Sequence, residues 1–182
     1  MQTKPSFFLI LFLFLTACGY QLRGAVELPE GMENLYLENA SGPLRDEVRK
    51  ALKFSKGQLV PSPKEAGVLI KILREEMRTR VLSVSSLGKA NQFELIYSLI
   101  FSIHDSTGAV LLANQRVQSQ RSYFNDQVDV LAQTNEEQLI RNEMYSQASR
   151  SILIRARIAM ENSQKIISKK SKLNELKKKG TD

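Results

Sequence analysis

Six apolar side chains, Phe93, Leu95, Tyr97, Leu99, Phe101 and Ile103, stand at every second position, with Glu94, Ser98, Ser102 and His104 on the alternate positions. This period belongs to a strand that buries one face and leaves the other to water. The stretch runs into Asp105-Ser106-Thr107-Gly108, a turn sequence, so residues 109–124 are expected to return antiparallel as a hairpin partner. Polarity rises along that second run, through Arg116, Gln118, Gln120 and Arg121. The chain is therefore built on a sheet with one open face.

A third strand is expected over 66–84. Val68, Ile70 and Ile72 share one face, the phase breaks at Glu75-Glu76, and Arg78 and Arg80 follow on alternate positions. A bulge near Arg74-Glu75 accounts for the change. Upstream, residues 32–38 read as a short strand carrying Leu35 and Leu37. Ser41-Gly42-Pro43 then opens a helix whose stripe is Leu44, Val48 and Leu52, and Lys56-Gly57 closes it. Near the other end, Thr134 with Glu137 reads as a capping box. The helix behind it has Ile140, Met144, Ala148 and Ile152 as its stripe, is widened by Leu139 and Tyr145, and ends near Met160. The expected fold is α+β, a four-stranded mixed sheet with two helices packed on one face, in the order β-α-β-β-β-α. The first strand–helix–strand unit is expected to be parallel and the later strands antiparallel.

The N-terminus has the build of a secretory signal. Lys4 supplies positive charge, residues 7–15 are uniformly apolar, and Thr16-Ala17 are small. This apolar run is far short of the ~20 residues needed to cross a bilayer as a helix. Behind it stands Cys18, the only cysteine in the chain. Leu15-Thr16-Ala17-Cys18 resembles a bacterial lipobox, which makes Cys18 the lipid-bearing residue, acylated on its amino group and carrying diacylglycerol on sulfur. Cleavage that leaves a free thiol is the alternative, and such a thiol is a liability in an oxidising compartment. The chain thus divides into a signal peptide (1–17), a lead segment (18–31), one domain (32–160) and a lysine-rich tail (161–182), expected to be solvated and disordered.

The formal net charge of +7 is a property of that tail. Lysines 165, 169, 170, 172, 177, 178 and 179 face only Glu175 and Asp182, while residues 18–163 carry 18 basic and 17 acidic side chains. That distribution, with no Trp and no interleaving of basic and aromatic residues, argues against nucleic-acid binding. One histidine, His104, and no cysteine besides Cys18 leave no metal-spaced cluster, and no cofactor motif is present. No activated nucleophile pairs with His104, so the chain is not read as an enzyme. What remains is a set of cations, Arg78, Arg80, Lys89, Arg116 and Arg121, which hairpin pairing could gather at one end of the sheet. There they would meet the phosphates of an anionic lipid. A solvated strand surface is the competing reading.

Cys18-Gly19-Tyr20-Gln21-Leu22-Arg23-Gly24 resembles the opening of LptE, the lipopolysaccharide-assembly lipoprotein family of Gram-negative bacteria. The run Arg121-Ser122-Tyr123-Phe124-Asn125-Asp126, followed by Leu131-Ala132, Glu136-Glu137, Met144 and Ala148, is similar to that family's approach to its last helix. The resemblance implies an outer-membrane lipoprotein without enzymatic activity. It would pair with the β-barrel LptD as plug and assembly partner, and place lipopolysaccharide in the outer leaflet. It also implies lipopolysaccharide contact through basic residues at one tip of the sheet. Here Gly88 matches the family's loop glycine and makes Lys89 the nearest candidate, although Ser86 and Leu87 stand where an arginine is expected. A stand-alone periplasmic lipoprotein binding an anionic ligand through its basic strand end is the alternative.

Overall fold

The computed structural model describes residues 28–124 and 130–179. Strand β1 (Asn34–Glu38) leads into helix α1 (Gly42–Phe54), a two-residue strand β2 (Gln58–Leu59), a 3-10 turn (Pro63–Glu65), three long strands β3 (Val68–Val84), β4 (Ala90–Asp105) and β5 (Val110–Phe124), and helix α2 (Val130–Lys179). The sheet order is β2-β1-β3-β4-β5. It is mixed as expected: β1 runs parallel to β2 and β3, while β3, β4 and β5 are antiparallel neighbours. It has five strands and not four. Two residues are too few to show a period, and β2 exists because its backbone pairs with Asn34 and Leu35.

One core holds the alternating residues of β4, the inner residues of β1 and β3, the α1 stripe Leu44, Val48 and Leu52, and the α2 stripe Met144, Ala148, Ile152 and Ala156. Alanines at 148 and 156 let α2 approach the sheet closely. On the opposite face a small cluster of Val60, Ala66, Leu69 and Tyr36 covers only the β1–β3 end. The expected bulge falls between Ile72 and Arg74, where Leu73 is left over and exposed.

Local chemistry sets the helix ends. Ser41 caps α1, its Oγ accepting from the Leu44 N–H at 3.4 Å. At the other end Ser55 is the C-cap, Lys56 takes the left-handed conformation (φ 58°), and the Gly57 N–H returns to the Leu52 carbonyl at 3.0 Å. Gly57 does not have a positive φ; a Cβ there would lie 2.8 Å from Leu28 Cδ1 and 3.0 Å from Leu52 Cδ2, side-chain ends that would have to shift to admit it.

Helix α2 departs from expectation at both ends. It begins at Val130, so Leu131 and Ala132 are helical and Thr134 lies inside the helix and is no cap. It also continues to Lys179, through the segment expected to be disordered. Met160 is the last buried residue of the helix among those described, and 164–172 are exposed throughout. The apolar stripe marks where α2 stops packing, and the helix itself goes on. Leu139, expected to widen that stripe, is exposed.

Candidate functional site

The bulge in β3 sends neighbouring side chains to opposite faces. Glu75, Met77 and Thr79 turn toward the helices, while Arg74, Glu76, Arg78 and Arg80 line the open face beside Ile96, Ser98, Ile100, Arg116 and Gln118. A groove of about 250 Å³ runs along this open face between Arg74, Arg78 and Arg116. Its charges are largely matched in place. Glu76 accepts from Arg78 Nε at 2.5 Å and from Arg74 Nη2 at 3.2 Å, and Arg80 Nε meets Glu94 at 2.5 Å. The hydrogen bond from Arg78 holds the Glu76 carboxyl below its usual range, against a smaller opposing effect of desolvation.

The five cations singled out in the sequence do not converge. Arg78, Arg80 and Arg116 share the open face, but Arg116 stands level with Ile100, in the middle of the sheet. Lys89 lies at the far turn, about 37 Å away along β4 at ~3.4 Å per residue. Arg121 is on the helix side, where its Nη2 donates to Gln147 of α2 at 3.4 Å. Its separation of five residues from Arg116 is odd, which already assigns the two to opposite faces of one strand. Cys18 and the motif residues Gly19, Tyr20, Leu22, Arg23 and Gly24 lie outside the described residues.

The β3–β4 turn forms a distinct tip. Gly88 has φ +73°, its N–H donates to the Ser85 carbonyl at 2.9 Å, and the Ser85 N–H donates to the Lys89 carbonyl at 2.7 Å. Lys89 is exposed among apolar side chains that find no cover: Val84 (63 % exposed), Leu87 (83 %) and, beside the turn on β5, Phe124 (64 %). A cation set among exposed apolar groups suits an amphiphile with a phosphate head and hydrocarbon tails.

Behind the open face, polar bonds hold the helices to the long strands. Both Glu75 oxygens are used: the Ser41 N–H and hydroxyl donate to them at 2.9 and 2.6 Å, and the Tyr97 hydroxyl donates at 3.0 Å. Burial, then the Glu75 charge, pushes the Tyr97 phenol well above its usual range, so it stays a donor. Tyr97 also meets Tyr145 edge-on, ring centroids 5.1 Å apart. Nearer the tip, the Tyr123 hydroxyl donates to Glu137 at 2.7 Å and Arg141 closes on the same carboxylate at 2.5 Å. This is the work Glu137 does in place of the expected capping box. None of these partners carries a motif; only the alternation of β3 and β4, which turns Glu75 inward beside Tyr97, could have found them. His104 is likewise structural: its Nδ1–H donates to the Gly108 carbonyl at 3.1 Å, so Nε2 accepts from the Ser102 hydroxyl at 2.9 Å.

The Glu137 bonds give a pH dependence. Burial pushes its carboxyl up, but the bonds from Tyr123 and Arg141 outweigh it and leave the group below its ordinary value of 4.5. Burial and Glu137 together push the Tyr123 phenol up to about 12. A carboxyl depressed on folding stabilises the fold above its unfolded value and loses that contribution as pH falls through the folded one. Tyr123→Phe should therefore cost about 0.5–1.5 kcal/mol near neutrality, and less in acid. Urea titrations at two pH values check this. An equal cost at both would detach the bond from the titration.

Comparison with known proteins bears on this arrangement directly. The profile of the LptE family, described as Lipopolysaccharide-assembly, matches residues 32–156. The chain belongs to the LptE family. Curated LptE relatives include the LPS-assembly lipoprotein LptE of Photorhabdus laumondii subsp. laumondii, 26 % identical over 155 residues and covering 84 % of each chain. That of Pectobacterium atrosepticum is 24 % identical over 162 residues, covering 85 % of this chain and 84 % of the relative. Among solved structures, lipoprotein B from Nitrosomonas europaea superposes with a TM-score of 0.64 at 24 % identity, over 80 % of this chain and 93 % of that one. Rare lipoprotein B from Shewanella oneidensis gives 0.54 at 22 %, over 78 % and 98 %. These two likenesses establish the fold. The LptE match spans the whole sheet, including its tip, and stops inside α2 before the first lysine of the C-terminal run.

Proposed function

We propose that this chain is an outer-membrane lipoprotein, anchored through Cys18, that seats in the lumen of the β-barrel LptD. There it acts as plug and assembly partner while lipopolysaccharide passes to the outer leaflet. The observation that carries the reading is the open face of β3–β5. It is long, polar and charge-matched through Glu76 with Arg74 and Arg78, and through Glu94 with Arg80. A surface of this kind suits the polar interior of a wide barrel and not a lipid face. The relatives' names supply lipopolysaccharide as the cargo. The tip, with Lys89 among Val84, Leu87 and Phe124, is the part that would touch it.

The test is co-purification from detergent-solubilised outer membrane. The chain is expected to come out with the barrel at a fixed ratio, and recovery only as a free monomer beside an intact barrel would refute the pairing. For the cargo, Lys89→Glu is expected to weaken lipopolysaccharide binding by roughly tenfold, the scale of one charge-assisted phosphate contact, with stability unchanged because Lys89 is exposed. Unaltered binding would remove Lys89 from the contact. The alternative, a stand-alone binder of an anionic ligand, requires free cations on one face. The ion pairs of Arg78 and Arg80, and the opposite facing of Arg121, weigh against it.

A further inference from the structure

The lysine-rich end of α2 takes no part in the sheet or its core, and the fold gives it a definite position. Helix α2 runs back along the sheet until Met160 packs at Gly31, its Cε 3.5 Å from where a Cβ on that glycine would sit. One turn later the Gln164 amide donates to the Glu30 carbonyl at 2.8 Å. The helix therefore leaves the body against the very segment by which the chain enters it. Glu30 is 12 residues from Cys18, and an extended chain of that length reaches at most about 40 Å. The tip at Lys89 lies at the other end of β3, whose 17 residues span about 55 Å. The base of the lysine helix is thus within a chain reach of about 40 Å from Cys18, and the tip stands a further length of β3 beyond that base.

Beyond Gln164 the helix is all surface. Lys165, Lys169, Lys170 and Lys172 are exposed and pair with no acid among the described residues; Ile166 and Ile167 between them, and Leu176 beyond, are exposed too. Lys165, Lys169, Lys172 and Leu176 recur at intervals of four and three, which aligns them as one stripe. Seven lysines fall within residues 165–179 against Glu175, along about 21 Å of helix. A partner protein would have to bring a matching acidic surface. A bilayer containing anionic phospholipid supplies one already, at the place where the tether ends.

We propose that residues 164–179 of α2 form a second membrane-binding surface, laid against anionic phospholipid headgroups beside the acylated N-terminus. The proposal rests on the reading of Cys18 as the lipid-bearing residue. Basic segments at a membrane act additively and within a Debye length, and their attraction joins that of the acyl chains. With two attachments about a tether's length apart, the body would be fixed in orientation, with its tip pointing away from the headgroups.

The experiment uses the full mature chain carrying Cys18→Ser, so that no acyl chain contributes, and reads sedimentation with vesicles. Vesicles of phosphatidylethanolamine and phosphatidylglycerol are expected to bind it, and phosphatidylcholine vesicles are not. Replacing Lys165, Lys169, Lys170 and Lys172 together by Gln should lower the partition coefficient by roughly a thousandfold, the product of the roughly fivefold increment each lysine adds near such a surface. Helical content by circular dichroism should be unchanged, since Lys and Gln have similar helix propensity. Equal binding by the Gln variant, equal binding to the neutral vesicles, or sedimentation only with vesicles carrying lipopolysaccharide would each overturn the proposal. The anchor is read separately, by the mass of the N-terminal peptide of the wild-type chain: an unmodified Cys18 would refute the tether without touching the vesicle result.

Discussion

Alanine in place of Gly67 is expected to destabilise the fold by about 3 kcal/mol or more. A Cβ at this position would stand 1.7 Å from the Gly31 carbonyl oxygen and 2.6 Å from its carbonyl carbon. Both are backbone atoms, so no rotamer change relieves the overlap. The two glycines cross where the lead segment passes the start of β3, and the Gly67 N–H is committed to the Asn34 carbonyl at 2.9 Å. Separating them would strain that bond, the β1–β3 pairing beside it and the Met160 contact on Gly31. The cost should reach or exceed the upper end of the ~1–3 kcal/mol typical of overpacking. For a chain of this size that lowers Tm by roughly 6–12 °C. Gly42→Ala is the control: nothing lies within 4 Å of its Cβ position at the start of α1, so it should be neutral or slightly stabilising. Thermal melts of the two variants decide the matter, and a Gly67→Ala protein that melts with the wild type would mean the crossing is looser than described.

That crossing shows what a sequence of this kind conceals. Gly67 sits in an ordinary stretch before a strand, and nothing near it signals that another glycine passes over it. Where spacing carries the information, the reading was close. The alternation of Phe93 to Ile103 located β4, and Leu44, Val48 and Leu52 located the face of α1. The break of phase at Glu75-Glu76 put the bulge near Arg74-Glu75, within two residues of where it falls, because burying one face is what generates each pattern.

The misreadings have the same physical root. Strand β2 is set by backbone pairing over two residues and leaves no mark in side chains. Helix α2 extends past its stripe at both ends because a helix needs burial on one side only where it packs, while Lys, Glu, Gln and Leu sustain it by propensity elsewhere. On β5 the inward set Val117, Ser119, Arg121 and Tyr123 is scarcely less polar than the outward set, so polarity does not separate Arg121 from Arg116, although strand parity does. The polar extension of the long strands was legible, though its cations do not gather at one end as expected. Its pairing was not: the carboxylates that match Arg78 and Arg80 are fixed by cross-strand register and by neighbours two residues away.

Phe101→Ala tests whether α2 closes over the sheet as described. Phe101 is fully buried at the centre of the core. Its removal should cost about 3–5 kcal/mol in lost transfer energy and cavity. The ring also supports α2 directly: the Arg155 guanidinium lies over it, 5.8 Å from the centroid. That guanidinium donates to the Gln115 side chain at 3.2 Å and to the Arg116 carbonyl at 3.0 Å. Without the ring, Arg155 loses the face it rests on, worth about a further 0.5–1 kcal/mol, and the tie between α2 and β5 slackens. The combined effect should lower Tm by roughly 7–24 °C. Phe101→Leu keeps most of the volume and should cost much less, about 1–1.5 kcal/mol. A cycle of Phe101→Leu with Arg155→Met isolates the contact between them, with a coupling of about 0.5 kcal/mol or more expected. A zero coupling together with a small loss for Phe101→Ala would mean that α2 does not rest on β4 at this point.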